Sequence, residues 1–128
     1  MSAKRAPRRP PPAAVTRLIE YLVPLGAVTA RAMFGGYGIY LDGTIFAIAA
    51  GEQIFFKIDD TSRARYEAAG MSVFRPFDDH TVLRSYYEVP PTILGDGGSV
   101  REWAAEAHRI ARQPRATKAR RRLRPGRH

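Results

Sequence analysis

The first apolar residues of the chain recur at helical spacing. Val15, Leu18, Ile19 and Leu22 follow an i, i+3, i+4, i+7 pattern, which is typical of an amphipathic helix. We expect the helix to end before Pro24, because proline lacks the amide hydrogen that a helix interior needs. The sequence therefore predicts that the folded part begins with an amphipathic helix that buries one face.

Closely spaced glycines and short apolar runs then replace the helical pattern. Residues 29–41 predict a first strand bent by a glycine bulge at Gly35 and Gly36, since glycine permits bending and the close approach of another backbone. Asp42-Gly43 predicts a tight hairpin turn, because a type I′ turn needs a positive φ at both central positions. This segment is expected to begin an antiparallel sheet.

The next apolar residues predict the middle of that sheet. Residues 45–50 form the continuous apolar run expected of a central strand buried on both faces, and residues 54–58 alternate as a third strand. Asp59 or Asp60 is expected to cap a second helix, because a carboxylate accepts the free amide hydrogens of a first helical turn.

The last third of the chain predicts two strands and a final helix. The strand candidates are residues 73–77 and 82–89, and Ser99 with Glu102 has the spacing of a capping box that opens the helix. Trp103 falls on the apolar stripe of this helix and is expected to be a core residue. The predicted order is α-βββ-α-ββ-α, which favours an α+β fold with an antiparallel sheet over a parallel α/β fold.

Composition places the net positive charge at the two ends of the chain. Of the formal charge of +9, residues 1–12 contribute +4 and residues 113–128 contribute +7, so residues 13–112 carry −2. We therefore expect a disordered basic, proline-rich tail, one domain over residues 13–112 and a disordered arginine-rich tail. The candidate nucleic-acid residues of the second tail are Arg115, Lys118, Arg120, Arg121, Arg122, Arg124 and Arg127.

Two interpretations of these tails stay open. Flexible arginine-rich segments neutralise phosphates without reading bases, which predicts non-specific binding of DNA or RNA. Drift in a GC-rich genome produces the same composition, because arginine, alanine, proline and glycine abound and asparagine is absent.

The sequence offers no established catalytic or metal-binding motif. Without cysteine there is no disulfide, thiolate zinc site or cysteine nucleophile. The glycines at 35–43 match neither the dinucleotide pattern nor the P-loop, and Asp78-Asp79-His80 is interpreted as a solvated turn. We therefore expect a non-enzymatic protein without cofactor or metal. The sequence also has no signal peptide and no apolar run of membrane-spanning length, which predicts a cytoplasmic protein that does not contact membranes.

Aromatic residues concentrate on the predicted strands. Packing in the core or a groove for a partner is their expected role, because half-buried strands favour aromatic residues and few basic residues lie beside them. Stacking of nucleobases is the alternative. The resulting candidate surface for a partner or ligand consists of Arg31, Phe34, Gly35, Gly36, Tyr37, Tyr86 and Tyr87.

Four strings occur in an order and spacing that resemble a known family. They are MFGGYGIYLDG at residues 33–43, FFKID at 55–59, SYYEVP at 85–90 and Trp103-Ala104. Together they resemble the N-terminal domain of the TfoX/Sxy family, which is associated with the regulation of natural competence for DNA uptake. The resemblance covers about residues 15–112. It implies an α+β fold related to the type III secretion chaperone-like architecture.

The resemblance also implies a cytoplasmic regulatory role in bacteria. The best-known members assist the cAMP receptor protein at competence promoters and have a second, C-terminal helical domain, whereas this sequence has an arginine-rich segment there. We therefore expect a stand-alone copy of the N-terminal domain. It would be a regulatory adaptor that contacts a protein partner such as the transcription machinery, as a monomer or a homodimer. The alternative is a small-ligand-binding or minor enzymatic domain with a pocket near residues 35–43.

Overall fold

The computed structural model describes residues 11–33, 36–74 and 83–113, and within them six strands form one antiparallel sheet in the order β1-β2-β3-β4-β6-β5. The strands are β1 (Val28–Met33), β2 (Gly36–Leu41), β3 (Thr44–Ala50), β4 (Gln53–Lys57), β5 (Val73–Phe74) and β6 (Leu83–Glu88). The helices are α1 (Ala13–Leu22), α2 (Arg63–Ala68), α3 (Pro91–Leu94) and α4 (Gly97–Ala111), with a 3-10 turn at Val23–Leu25. The predicted class, an α+β fold with an antiparallel sheet, is confirmed.

α1 packs its apolar stripe against the sheet as predicted. Val15 and Leu22 are fully buried, and Pro24 lies in the 3-10 turn that follows the helix. A residue of the β3–β4 turn also contacts the start of the helix: the Ala14 N–H donates to Oε1 of Glu52 at 2.9 Å. This contact satisfies one of the amide hydrogens that a helix N-terminus leaves unpaired.

The segment predicted as one bent strand forms two strands. β1 ends at Met33, β2 begins at Gly36, and these two residues pair in an antiparallel ladder. The predicted order α-βββ-α-ββ-α is therefore wrong by one strand before α2. The physical reason is that a glycine pair serves a tight reversal as well as a bulge, and only the pairing of the flanking strands distinguishes the two. Gly35 itself lies outside the described residues.

The predicted hairpin turn between β2 and β3 is confirmed. Asp42 has φ 51° and Gly43 has φ 86°, so both central positions are in the left-handed region. The Asp42 side chain also accepts the N–H of Ala27 at 2.9 Å, which ties the turn to the residue before β1. β3 is the buried strand of the sheet, as its apolar run predicts, with residues 46–49 buried.

Within the described residues, the helices pack on one face of the sheet. α4 crosses β3 and β4, α1 lies against β1, β4 and α4, and α2 lies against β6. Ile54 and Phe56 of β4 point into this layer and are fully buried. Leu18 of α1 and Ala104 of α4 close the core from the other side.

The start of α4 differs from its prediction. The helix begins at Gly97, and Asp96 is its N-cap, because Oδ2 of Asp96 accepts the N–H of Ser99 at 2.9 Å. Ser99 is already the third helical residue, so the predicted capping box of Ser99 with Glu102 is wrong. α3, a single turn that begins at Pro91, was not predicted either.

The predicted cap of α2 at Asp59 or Asp60 is wrong by one turn, because the helix begins at Arg63 with Ser62 as its N-cap and no side-chain capping bond. Asp59 instead closes the turn that precedes the helix. Oδ1 of Asp59 accepts the N–H of Ser62 at 2.8 Å, and Oγ of Ser62 accepts the N–H of Asp59 at 3.0 Å. Burial raises the pKa of Asp59, but the hydrogen bonds from Ser62 and Thr61 outweigh it and hold the pKa below its usual value. Of the last two predicted strands, the structure describes β5 and β6, and Asp78-Asp79-His80 lies outside the described residues.

Candidate interaction surface

The sheet has a second face on which the described part of the chain places no helix. Side chains alternate along a strand, so the neighbours of the helix-facing Ile54 and Phe56 point the other way. We call this surface the open face. It is defined by Arg31, Tyr40, Ile48, Phe55, Lys57 and Tyr86.

Apolar side chains form the floor of the open face. Ile48 on β3 pairs with Phe55 on β4, and the ring of Phe74 on β5 lies 4.4 Å from that of Phe55. These three residues form a small cluster of their own, with exposed fractions of 4–6%. The floor is therefore a buried, packed layer, and the accessible part of the open face consists of the polar and aromatic side chains around it.

Two tyrosines on the open face each lie beneath a cation. Cζ of Arg31 is 5.3 Å from the ring centroid of Tyr40, and Nζ of Lys57 is 5.4 Å from that of Tyr86. Both distances fall within the range of cation–π attraction. Burial, and then the nearby Tyr40, raise the pKa of Tyr86 above its usual value.

Pairing between strands aligns these residues across the sheet. Tyr40 pairs with Ile45, Lys57 pairs with Tyr86, and Ile45 lies on β3 between the two pairs. Arg31 is on β1 opposite Gly38, and the space over this glycine is filled by the side chains of Met33 and Ile45 beside the Tyr40 ring. The result is a row of two cations and two phenol rings that runs across the strands.

Acidic residues lie mostly away from the open face. Glu88 is the carboxylate on this side of the described strands, and the Gln53 amide donates to it at 3.3 Å. The other described acids lie on helices, in turns or in loops: Glu20, Asp42, Glu52, Asp59, Asp60, Glu67, Asp96, Glu102 and Glu106. Most of the described acidic residues that contribute to the net charge of −2 over residues 13–112 therefore lie outside the open face.

The structure separates the surface predicted from the sequence. Arg31 and Tyr86 lie on the open face, but Tyr37 and Tyr87 point into the helix-covered layer. Tyr87 donates its hydroxyl hydrogen to Oε2 of Glu67 at 2.8 Å. Phe34 and Gly35 lie outside the described residues.

Gly36 is explained by packing between strands. A Cβ at this position would lie 2.2 Å from the carbonyl oxygen of Ala49, which is closer than any real contact. The sequence analysis predicted a close backbone approach near this glycine, and the structure has one. The bulge predicted at Gly35 and Gly36 is found further along the strand instead, because the register between β2 and β3 shifts between Ile39 and Tyr40.

Sequence reasoning left Tyr40 and Lys57 out of the candidate surface. Both lie within predicted strands, at residues 29–41 and 54–58, but a single strand does not reveal the register that places them beside Arg31 and Tyr86. The available signal was the alternation of β4, where the apolar Ile54 and Phe56 assign Lys57 to the opposite face.

The described ranges hold no group of three histidine, aspartate or glutamate side chains suited to a metal ion and no helix with the length and apolar character needed to cross a membrane. The seven basic residues predicted to bind nucleic acid, between residues 115 and 127, lie outside those ranges.

The architecture defines the class of protein: an α+β domain in which helices cover one face of a six-stranded antiparallel sheet. The family model of the TfoX N-terminal domain matches residues 20–111, and the chain belongs to this family. The DNA transformation protein TfoX1 of Aliivibrio fischeri (strain ATCC 700601 / ES114) is 26% identical over 116 residues. That match covers 84% of this chain and 54% of the relative, so the chain spans about half the length of the relative it matches.

Proposed function

We propose that this protein is a non-enzymatic regulator of DNA transformation that acts by contacting a protein partner. The observation that carries the proposal is the family match over residues 20–111, which includes the whole described sheet and α4. The relative in Aliivibrio fischeri is named a DNA transformation protein, which supports the same process for this chain. The transcription machinery is the partner class that this role requires.

The edge of the sheet at β1 supports contact with a protein. β1 pairs with β2 on one side, and the described residues place no strand on its other side. An unpaired edge of six residues offers backbone groups to an added strand of a partner. Thr29 and Ala32 on this strand are exposed. A ligand pocket near residues 35–43 has less support, because packing already explains Gly36.

Transformation frequency in the host organism tests the proposal. We expect deletion of the gene to lower the frequency and the wild-type gene to restore it. A strain that transforms normally after deletion, under conditions in which the protein is made, contradicts the regulatory role.

Two exposed alanines provide a matched pair for the edge contact. Ala32→Lys places a charge on the edge strand, which opposes the addition of a strand, whereas Ala105→Lys makes the same change on α4. We expect the Ala32 variant to restore transformation less well than the Ala105 variant at equal protein levels. Equal restoration shows that the partner does not bind at β1.

A further inference from the structure

We propose that the open face binds single-stranded nucleic acid. In this assignment Arg31 and Lys57 contact phosphates, and the rings of Tyr40 and Tyr86 stack with bases. The proposal goes beyond the protein contact at β1 and does not depend on it, because it uses the face of the sheet rather than its edge.

The row of cations and rings has the size of a short single strand. Neighbouring strands lie about 4.8 Å apart, so the backbones of β2 and β6, which are three intervals apart in the sheet, are separated by about 14 Å. The side chains of Tyr40 and Tyr86 lie closer together than their backbones, since Tyr40 is near enough to raise the pKa of Tyr86. Bases that stack on protein rings rather than on each other leave the strand extended, so this distance accommodates a short stretch of a few nucleotides. Binding domains that track single strands occupy about 4–16 nucleotides per fold.

The chemical groups in the row suit nucleotides. A base stacks on an aromatic ring or on the plane of a guanidinium group, and the Arg31 guanidinium already lies over the Tyr40 ring. The ammonium group of Lys57 lies over the Tyr86 ring and would move from the ring to a phosphate when a base stacks there. Each half of the row thus combines one cation with one stacking surface.

Charge and shape favour a single strand over other occupants. A second copy of the chain placed face to face would bring Arg31 and Lys57 against the same cations, which repel. A duplex would offer phosphates but keep the faces of its bases stacked inside. Glu88, the carboxylate on this side, already accepts the Gln53 amide and lies next to the row rather than within it.

Fluorescence anisotropy on the full chain separates the open face from the basic tails. The probes are a labelled 12-nucleotide oligothymidine and a duplex of the same length, since tails that read only phosphates bind both. Arg31→Glu is compared with Arg17→Glu, a matched charge reversal at an exposed position of α1. We expect Arg31→Glu to weaken oligothymidine binding at least about fivefold while duplex binding and the Arg17 variant change little.

The dependence on salt gives a second readout. Loss of one phosphate contact lowers the slope of log K against log salt by about 0.7 for a single strand. We expect Arg31→Gln to show this decrease with oligothymidine and to leave the duplex slope unchanged. An equal effect of the variants on both probes, or of Arg31→Glu and Arg17→Glu on oligothymidine, overturns the proposal.

Photocrosslinking identifies the stacking residues without relying on variants that could unfold. A bromodeoxyuridine-substituted oligonucleotide is expected to crosslink to Tyr40 or Tyr86, and mass spectrometry of the peptides locates the adduct. Crosslinks confined to residues 113–128, or to Tyr37 and Tyr87, overturn the assignment.

Two other outcomes also overturn the proposal. One is a wild-type dimer that dissociates on Arg31→Glu without a change in oligothymidine affinity, because the face is then an interface between copies. The other is displacement of the oligonucleotide by polyglutamate at equal charge concentration, which indicates an acidic protein partner.

Discussion

Trp103 connects α4 to α2 at the margin of the core. Its ring meets the Tyr66 ring at an angle of 65° with centroids 4.7 Å apart, and Cζ of Arg65 lies 4.1 Å from its centroid. Arg65 also forms an ion pair with Glu106. Trp103 is half-buried and packs against the main core cluster, so the residue predicted for the core lies at its margin rather than inside it. The fully buried positions of the stripe are the small ones, such as Ala104.

Replacement of Trp103 by alanine is expected to lower the free energy of unfolding by about 2–4 kcal/mol. The figure lies somewhat below that of a fully buried tryptophan, because part of the ring already contacts water. Urea unfolding measures the change, with Trp103→Phe as the control that keeps an aromatic contact to Tyr66. An unchanged urea midpoint for the alanine variant contradicts the contact between α2 and α4.

Asp96 is expected to stabilise α4 in a manner that depends on pH. Hydrogen bonds from Ser99 hold the pKa of Asp96 below its ordinary value of 3.8. A group whose pKa is lowered by folding contributes stability above its unfolded pKa and loses that contribution as the pH falls through the folded pKa. Asp96→Ala is therefore expected to lower the urea midpoint at pH 7, and the difference from wild type is expected to narrow below about pH 4.

Two controls isolate the cap from other effects. Asp96→Asn keeps an acceptor for the Ser99 N–H but carries no charge, so we expect a smaller loss and no narrowing at low pH. Ser99→Ala keeps the backbone N–H that Asp96 accepts. A larger loss for Ser99→Ala than for Asp96→Ala would restore the capping box that the sequence suggested.

Gly36 tests the close approach of β2 and β3. In Gly36→Ala the added Cβ would overlap the Ala49 carbonyl oxygen, and backbone in the middle of a sheet does not move cheaply. We expect a loss of about 1–3 kcal/mol in the free energy of unfolding, typical of overpacking. Gly95→Ala is the matched control, since its Cβ would lie 3.5 Å from the nearest atom and its φ is −86°. Equal urea midpoints for the two variants contradict the register between β2 and β3.

At the level of elements, periodicity predicted most of the fold. The stripe of α1, the Asp42-Gly43 turn and the buried run of β3 each have a local physical cause, so the local sequence was sufficient. The chain reversal between Met33 and Gly36 could not be predicted from the local sequence, because the same glycines are compatible with a bulge and with a hairpin. The start of α4 was missed because two acceptable caps, Asp96 and Ser99, lie three residues apart.

At the scale of the whole molecule, the candidate surface depends on pairing that no single strand reveals. Arg31, Tyr40, Lys57 and Tyr86 come from four strands, and register decides which of them share a face. Adjacent Tyr86 and Tyr87 were predicted together but lie on opposite faces, since neighbouring side chains of a strand alternate. Sequence reasoning could place the aromatic residues on strands and could not sort them by side.

The basic tails remain a prediction at this same scale. If the seven basic residues between Arg115 and Arg127 engage duplex DNA fully, log K is expected to fall against log salt with a slope near about −6. Removal of residues 113–128 should abolish most duplex binding and leave the thermal midpoint of the domain nearly unchanged, because the segment has little apolar surface to bury. Duplex affinity that survives the truncation, or a preference between two unrelated duplexes, shows that the domain itself binds DNA.

The division of the sheet into a covered face and an open face is tested most directly by the six tyrosines, all of which the structure describes. Ring-selective NMR spectra of the full chain with ¹³C-labelled tyrosine can be titrated with oligothymidine. We predict that the ring signals of Tyr40 and Tyr86 shift, whereas those of Tyr37, Tyr66 and Tyr87, which pack in the helix-covered core, do not. Shifts at the covered tyrosines, with Tyr40 and Tyr86 unaffected, would contradict the account.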